Sequence, residues 1–569
     1  MDKITASLLD AFTTQNELSK LDEATQFEHF SNFCLVSKLY RGSFELEDVH
    51  SGAGGDCGID GLCLLVNGRM VTDVDQLKDI VQHADCLDAD LVFIQTKTSR
   101  SFESSKIGSF ITGIKDFLSD EPQLVQNDTI KAFKELWEEV IANSQFMINR
   151  LPNLKLFYVC TGKWTNDQNL QAVINLGVQE IDSEGVFGDI TFEALGAQDI
   201  QRYYHDTKNK LQTTVKFSSR ITLPDIEGVS EGYLGLMSFP EYLKLIQDES
   251  KTIHNIFDDN VRDFQGGNAV NKKIKATLTD RKFELFSVLN NGVTVVASSI
   301  TPAGDRFTIR DYQVVNGCQT SHVLHDCQEL DGIEKVNVPI KIVVTDNEEV
   351  KTNITLATNS QTEVKTEQLA ALGAFQKELE LYYQAEEKTA ALPLYYERRS
   401  QQYNSNSAIK RTQIISIPNQ IKAFASTFLS SPHLVSGYYG TIVNRFKDQI
   451  FSESHVYSPY YVSSLCLYRI EQFFRSGELD SSYKKARYHL LLIVRMLVMG
   501  VDLPPFNSNK LDRQCEEFKA ILSNETQALD LFKRAITVLD NSPLDKDKRQ
   551  YKAETDTEAL IDYLKKLNK

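Results

Sequence analysis

Four residues in the first hundred have the types and the order that phosphodiester hydrolysis would need. Glu28 lies in an apolar stretch of helical period, and Asp60 sits where a strand emerges from the glycine-rich run GAGGDCGIDG at Gly52–Gly61. Gln95 and Lys97 close the apolar run DLVFIQTK. Side chains alternate along a strand, so Gln95 and Lys97 share a face. Such hydrolysis uses a hard cation, Mg²⁺ or Mn²⁺, held by one or two carboxylates and neutral oxygens. The cation polarises the phosphate and lowers the pKa of an attacking water. Asp60, Gln95 and Glu28 offer the oxygens. A lysine beside them steadies the charge growing on the phosphate, or orients the water. Each residue has a plainer reading alone, since an Asp after glycine commonly shapes a turn and a strand-end Lys is commonly solvated. A Gln-x-Lys pair inside an apolar strand is harder to set aside, because burying an ammonium without a partner is costly.

These residues need a helix, a turn and a central strand to position them. In Gln26–Tyr40, Phe27, Phe30, Phe33, Cys34 and Leu35 recur at helical spacing. Gly58–Val66 reads as a strand, Asn67-Gly68 as a tight hairpin turn, and Arg69–Thr72 as a short return strand. Asp90–Thr96, apolar almost throughout, reads as a central strand. Lys106–Leu118 reads as a helix, with further strands at Lys155–Thr161 and Ile190–Ala194. The expected class is α/β, α+β overall, with a mixed sheet flanked by helices over residues 1–220. A central α/β domain over 221–430 carries apolar strands at Phe286–Ser298, Tyr312–Val315 and Val338–Val344, and a long helix at Thr362–Glu387. Residues 431–569 read as mostly helical, and Ser218–Glu231 is the linker-like stretch.

The 569 residues suit two to four domains, and 41% apolar with 24% charged residues is a globular composition. A net charge of −17 excludes a histone-like polyelectrolyte and leaves room for a local basic channel. Arg262–Lys282 is such a stretch, with six basic residues against two acidic ones, and reads equally as a solvated helix face. The polar N-terminus does not resemble a signal peptide. The longest apolar run, Tyr488–Gly500, is too short to cross a bilayer and contains Arg495, so it reads as a buried helix. Nine scattered cysteines without a Cys-x-x-Cys pair fit a reducing interior rather than zinc or disulfides. The expectation is a cytoplasmic protein with no membrane partner. Neither a Ser-His-Asp set, a phosphate loop nor a dinucleotide glycine motif is visible, and His322 with His325 lacks the further ligands a metal needs.

GGDCGIDG followed by FIQTK resembles the core of the PD-(D/E)XK nuclease superfamily, in the variant with Gln for the second acid, as in Mrr-like restriction endonucleases. The resemblance implies a restriction-endonuclease-like region in which Asp60 ligates the metal and Gln95 lends an amide oxygen. Lys97 would serve water and phosphate, and Glu28 would complete the site. Five later stretches resemble the AIPR family, associated with abortive infection and phage resistance in bacteria. They are NVRDFQGGNAVN (Asn260–Asn271), LNNGVT (Leu289–Thr294), QVVNGCQTS (Gln313–Ser321), ATNSQT (Ala357–Thr362) and YYERRSQQY (Tyr395–Tyr403). This resemblance covers about residues 230–430 and implies an AIPR domain.

Asn and Gln both donate and accept, which suits bases, nucleotides or backbone, and Arg398 and Arg399 could grip phosphate through forked donors. The binding candidates are therefore Arg262, Lys272, Lys273, Asn291, Asn316, Gln319, Arg398 and Arg399, although the Asn-Gly pairs at 291–292 and 316–317 equally serve as turn formers. The expected function is a Mg²⁺- or Mn²⁺-dependent endonuclease of bacterial anti-phage defence. Nucleic acid is its expected partner, DNA ahead of RNA, with a phage-derived trigger and a homodimer as further expectations. The alternative is an inactive nuclease-like fold that binds nucleic acid or nucleotide as a sensor or regulator.

Overall fold

The computed structural model describes residues 1–40, 42–52, 54–83, 86–147, 151–208, 211–247, 253, 256, 269–347, 350–351, 353–354, 357, 374–398, 402–403, 406, 408–435, 439–544 and 551–567, without the side chains of 83, 269–272, 374, 444 and 448. Its contacts divide it into two units. One holds Met1–Leu9 and Glu23–Lys365, and the other Asp10–Asp22 and Thr366–Lys569.

The first unit contains two sheets. The N-terminal one comprises β1 (Gly61–Val66), β2 (Arg69–Met70), β3 (Ala89–Lys97), β4 (Asn153–Cys160) and β5 (Asp189–Leu195), in the order β2-β1-β3-β4-β5. β3 is central, as its apolar run implies, antiparallel to β1 and parallel to β4. Helices Ser104–Leu118 and Asp128–Ala142 connect β3 to β4, and Gln168–Asp182 connects β4 to β5. Such crossovers cover a parallel sheet, which is why β3 can be apolar almost throughout. Phe93 from β3 meets the edges of Phe117 and Phe133 at 5.0 and 6.0 Å. The expected early helix forms at Glu23–Leu39 and buries Phe27, Phe30, Phe33, Cys34 and Leu35. Asn67 and Gly68 take φ of 52° and 76°, the tight-hairpin conformation. β1 starts at Gly61 rather than Gly58 because Asp56–Ile59 forms a turn, closed by Ile59 N–H donating to Asp56 O.

The second sheet comprises β6 (Gln212–Lys216), β7 (Ser219–Thr222), β8 (Glu231–Ser238), β9 (Val293–Ala303), β10 (Arg306–Asn316) and β11 (Asn337–Val344), ordered β6-β10-β9-β11-β8-β7. Its neighbours are antiparallel except β9 and β11. The chain therefore enters this sheet at Gln212, and a boundary at 220 would cut β7. The segment Phe286–Ser298 divides into a short helix, Phe286–Leu289, and the start of β9. The Asn-Asn-Gly between them breaks the strand expected there.

The second unit is helical, with helices Ala374–Glu387, Ile417–Thr427, Ser458–Ser476, Arg487–Met499, Asn509–Ser523, Glu525–Asp540 and Glu554–Leu567, and two short paired strands, β12 (Tyr395–Glu397) and β13 (Ile414–Ser416). It thus takes in residues well before 431. Of the helix expected at Thr362–Glu387, residues 362–373 lie outside the described ones. Residues 10–22 also belong to this unit, where Glu17 pairs with Lys410 at 2.8 Å and Arg475 at 3.2 Å. Phe424 and Tyr460 stack with ring centres 4.0 Å apart in its core. The run at Tyr488–Gly500 is a buried helix as expected, and no helix among the described residues is long and apolar enough to cross a membrane. All nine cysteines are free, eight of them buried. The fold class is α+β, as expected.

Candidate functional site

Asp60 immediately precedes β1, and its backbone is held from two sides. Its N–H donates to Ile94 O of β3 at 2.8 Å, and Asn32 Nδ2, from helix Glu23–Leu39, donates to its carbonyl at 3.0 Å. That approach demands glycine at the next position, since a Cβ on Gly61 would lie 2.2 Å from Asn32 Oδ1. The buried carboxylate uses a single oxygen for its protein contacts. Oδ2 accepts from Thr96 N–H at 2.6 Å and Thr96 Oγ1 at 3.2 Å, and pairs with Lys97 Nζ at 3.4 Å. No described residue engages Oδ1. The contacts to Ile94 and Thr96 bracket Gln95, so the acid, the amide-bearing residue and the ammonium come together.

Burial pushes the Asp60 carboxyl from its ordinary value of 3.8 up to about 6. The Lys97 ammonium and the Thr96 N–H pull it down, while the Glu28 and Asp56 carboxylates push it up. Glu28 therefore shares the electrostatic environment of Asp60. Gln95 is buried, and its Oε1 has no hydrogen-bond partner among the described residues. An unsatisfied buried acceptor costs about 1–3 kcal/mol. The nearby Gly58 leaves room for this amide, because a Cβ there would stand 3.2 Å from Gln95 Nε2. A buried amide oxygen without a partner, on the strand that holds Asp60, and a carboxylate with one oxygen uncommitted are donors of the kind a hard, oxygen-seeking cation takes. Among the described residues, no three His, Cys, Asp or Glu side chains form a metal cluster, so a cation here would depend on the amide.

Three residues that sequence reasoning passed over belong to this site. His50 Nε2 lies 2.9 Å from Glu28 Oε2, and Gly52 N–H donates to His50 Nδ1 at 3.2 Å. With Nδ1 accepting, Nε2 carries the proton and donates to Glu28. The His50 ring also stacks on His29 at 4.2 Å. Thr96 and Asp56 are the others. Asp56 stood in the quoted glycine run, and His50 only two residues ahead of it.

The candidates of the second sheet gather elsewhere. Asn316 at the end of β10 pairs with Thr294 at the start of β9, which sets the two Asn-Gly turns side by side. With the first turn of helix Cys318–Asp326 and with helix Ala269–Thr279, they enclose a cavity of about 400 Å³ lined by Lys273, Asn291, Asn316 and Gln319 among others. Gly317 takes φ 105°, and a Cβ there would sit 2.7 Å from Val293 Cγ2. The turns therefore fix the strand ends, as the turn-former reading expects, and the same residues line a pocket.

Arg398 departs from expectation. Its side chain is 6% exposed, and its Nε donates to Glu380 Oε2 at 3.0 Å. Gln402 holds the other oxygen of Glu380. A guanidinium buried in such a pair braces the helical unit and does not grip phosphate. Arg262, Arg399 and the side chain of Lys272 lie outside the described residues, as do most of the motif at Asn260–Asn271 and all but Ala357 of the one at Ala357–Thr362. Arg281 and Lys282 are exposed beside Asp331 and Asp280.

No curated protein and no solved structure matches the chain. Residues 257–526 match the model of the family described as AIPR protein, a little under half of the chain. The matched stretch includes the Asn-Gly pocket and most of the helical unit, and excludes the surroundings of Asp60. It starts later than the motif resemblance and runs further toward the C-terminus. Over residues 257–526 the chain is thus similar to the AIPR family.

Proposed function

We propose that this chain is a metal-dependent nuclease of the PD-(D/E)XK kind, acting on DNA in abortive-infection defence against phage. The similarity to the AIPR family supports the defence role. The observation that carries the nuclease reading is the Asp60–Lys97 pair at 3.4 Å, closed around Gln95 with its unpartnered, buried Oε1.

Asp60, Gln95 and Glu28 would hold Mg²⁺ or Mn²⁺, which when bound supplies polarisation of the phosphodiester and acidification of a water. Thr96 fixes one oxygen of Asp60 and leaves the other to face a ligand. His50 orients Glu28, as outer partners of ligating carboxylates do. Lys97, whose side chain is 32% exposed, can reach a phosphate from beside Asp60 and offset its growing charge.

The test is cleavage of DNA by the purified full chain, with Mg²⁺ or with chelator, wild type beside Lys97→Ala. Cleavage should require the cation, and Lys97→Ala should slow it about 10²-fold or more while leaving the circular dichroism spectrum unchanged. Undiminished cutting by the variant, or cutting in chelator, would refute the assignment.

A pH signature follows from Asp60, which must lose its proton to take a cation. The apparent affinity for Mg²⁺ should hold level above about pH 6 and fall about tenfold for each pH unit below it. Mg²⁺ titrations of the cleavage rate at several pH values would measure this, and a flat affinity would remove Asp60 from the ligand set. The neutral amide at position 95 favours one second reading, a fold that holds nucleic acid without cutting it. Binding without cleavage on every DNA and RNA offered would select it.

A further inference from the structure

The glycine-rich loop that leads to Asp60 is closed at its neck and fastened on its far side. At the neck, His50 bridges to Gly61, and Ser51 N–H donates to Asp60 O at 3.4 Å. Between them the backbone is left-handed at Gly52, Gly54, Gly55, Cys57 and Gly58, with φ of 89°, 73°, 63°, 58° and 76°. Glycine surrenders the most freedom when such a loop is ordered, and Cys57 carries its side chain in a conformation that disfavours one. Backbone of this kind persists only where its surroundings hold it.

The hold comes from Asn127, which caps the start of helix Asp128–Ala142. Its Nδ2 donates to Ser51 O at 2.9 Å and to Gly54 O at 3.0 Å, and its main-chain N–H donates to Gly55 O at 2.7 Å. Its Oδ1 accepts from Ile130 N–H at 2.9 Å, so both ends of the amide are engaged. The residues before it run along the same loop, where Gln126 bridges to Asp56 and Cys57 Sγ lies 3.6 Å from Val125 O. The loop so held reaches the site three times. His50, just before it, meets Glu28. Asp60 ends it, and a Cβ on Gly58 would stand 3.2 Å from Gln95 Nε2.

We propose that Asn127 is a positioning residue of the cation site, its amide fastening the loop that sets His50 and Asp60 in place. The role rests on the nuclease reading of that site. Asn127 itself touches neither cation nor substrate. It acts through the loop, as outer contacts act on the groups that hold a metal.

The test uses the full chain, wild type beside Asn127→Asp and Asn127→Ser. Both replacements still accept from Ile130 N–H and keep the helix start, and neither has the two N–H donors that reach Ser51 and Gly54. Cys57 reports on the loop, because the other eight cysteines are buried. In chelator, its labelling by a thiol reagent should quicken about tenfold or more in both variants, since two hydrogen bonds that keep the loop closed are lost. Mn²⁺ binding, followed by the paramagnetic resonance of the free ion and read as the component that Asp60→Asn lacks, should weaken about 10–100-fold in both. Cleavage should fall in step at limiting cation and recover most of the wild-type rate at saturating cation, a split that loss of a group touching the reacting atoms would not give. Unchanged labelling, or faster labelling with unchanged Mn²⁺ affinity, overturns the proposal. So does weakening confined to Asn127→Asp, which its charge alone would cause. Wild type that neither takes Mn²⁺ nor cuts overturns the nuclease reading and this role with it, whereas wild type that takes Mn²⁺ beside variants that match it overturns this role alone.

Discussion

Asp60→Asn is expected to stabilise the sheet-bearing unit while ending cleavage. Between pH 3.8 and about 6 the folded chain keeps a proton on Asp60 that the unfolded chain has released. Stability therefore falls as pH rises through that window, and the deficit is complete above it. The gap between 3.8 and about 6 corresponds to about 3 kcal/mol. Asparagine forfeits little in exchange, because its oxygen still accepts from Thr96, and Lys97 is exposed enough to regain water. The variant should gain about 2–3 kcal/mol at pH 8 and almost nothing at pH 4. Both tryptophans, Trp137 and Trp164, belong to the core of the first sheet, so urea unfolding followed by tryptophan fluorescence reports this unit. Mg²⁺ should raise the wild-type midpoint and leave that of Asp60→Asn in place. Cleavage should fall by about 10³-fold or more with the loss of the anionic ligand. A variant less stable than wild type at pH 8 would make Asp60 a structural partner of Lys97, and one that still cuts would end its candidacy as a ligand.

Much of this site is legible in the sequence because the surroundings are apolar. Gln95 and Lys97 stand out at the end of a run that is otherwise a buried central strand, and the phenylalanines at 27, 30 and 33 announce the helix that brings Glu28. What escapes notice is held by contacts far apart in the chain. His50 reaches Glu28 only because its segment bridges to Gly61, and nothing local to a lone histidine before a glycine run signals that. Arg398 has the composition of a phosphate grip, yet Glu380 in the preceding helix takes it out of solvent. β6 is the short polar stretch QTTVK and has no apolar period to reveal it. Its pairing with β10, far along the chain, carries the second sheet back before the expected boundary. The Asn-Gly pairs show a different limit, because turn and pocket wall are one and the same residues, and sequence alone weighs these roles as rivals.

Arg495→Met is expected to cost the helical unit about 3–5 kcal/mol. The arginine interrupts the longest apolar run of the chain and is 1% exposed. No carboxylate among the described residues meets it. Its Nε donates to Thr427 O at 2.8 Å and its Nη1 to Gly500 O and Val501 O at 3.0 and 3.1 Å, while Nη2 donates to Ser430 Oγ at 2.8 Å. Thr427 ends helix Ile417–Thr427, and Gly500 follows helix Arg487–Met499. One guanidinium thus meets carbonyls at two helix C-termini, where a cation is favoured. Burial lowers its pKa to about 10, which leaves it charged at neutral pH. Replacing a buried ion pair with apolar residues can be harmless when both partners are removed together. Here the acceptors include three main-chain carbonyls, which no substitution at 495 removes, so methionine fills the volume and strands them. Arg495→Lys keeps the charge but cannot span four acceptors with one ammonium, and should fall between methionine and wild type. The urea midpoint of the helical circular dichroism signal measures the loss, and a methionine variant that unfolds together with wild type would show that these contacts do not hold the unit.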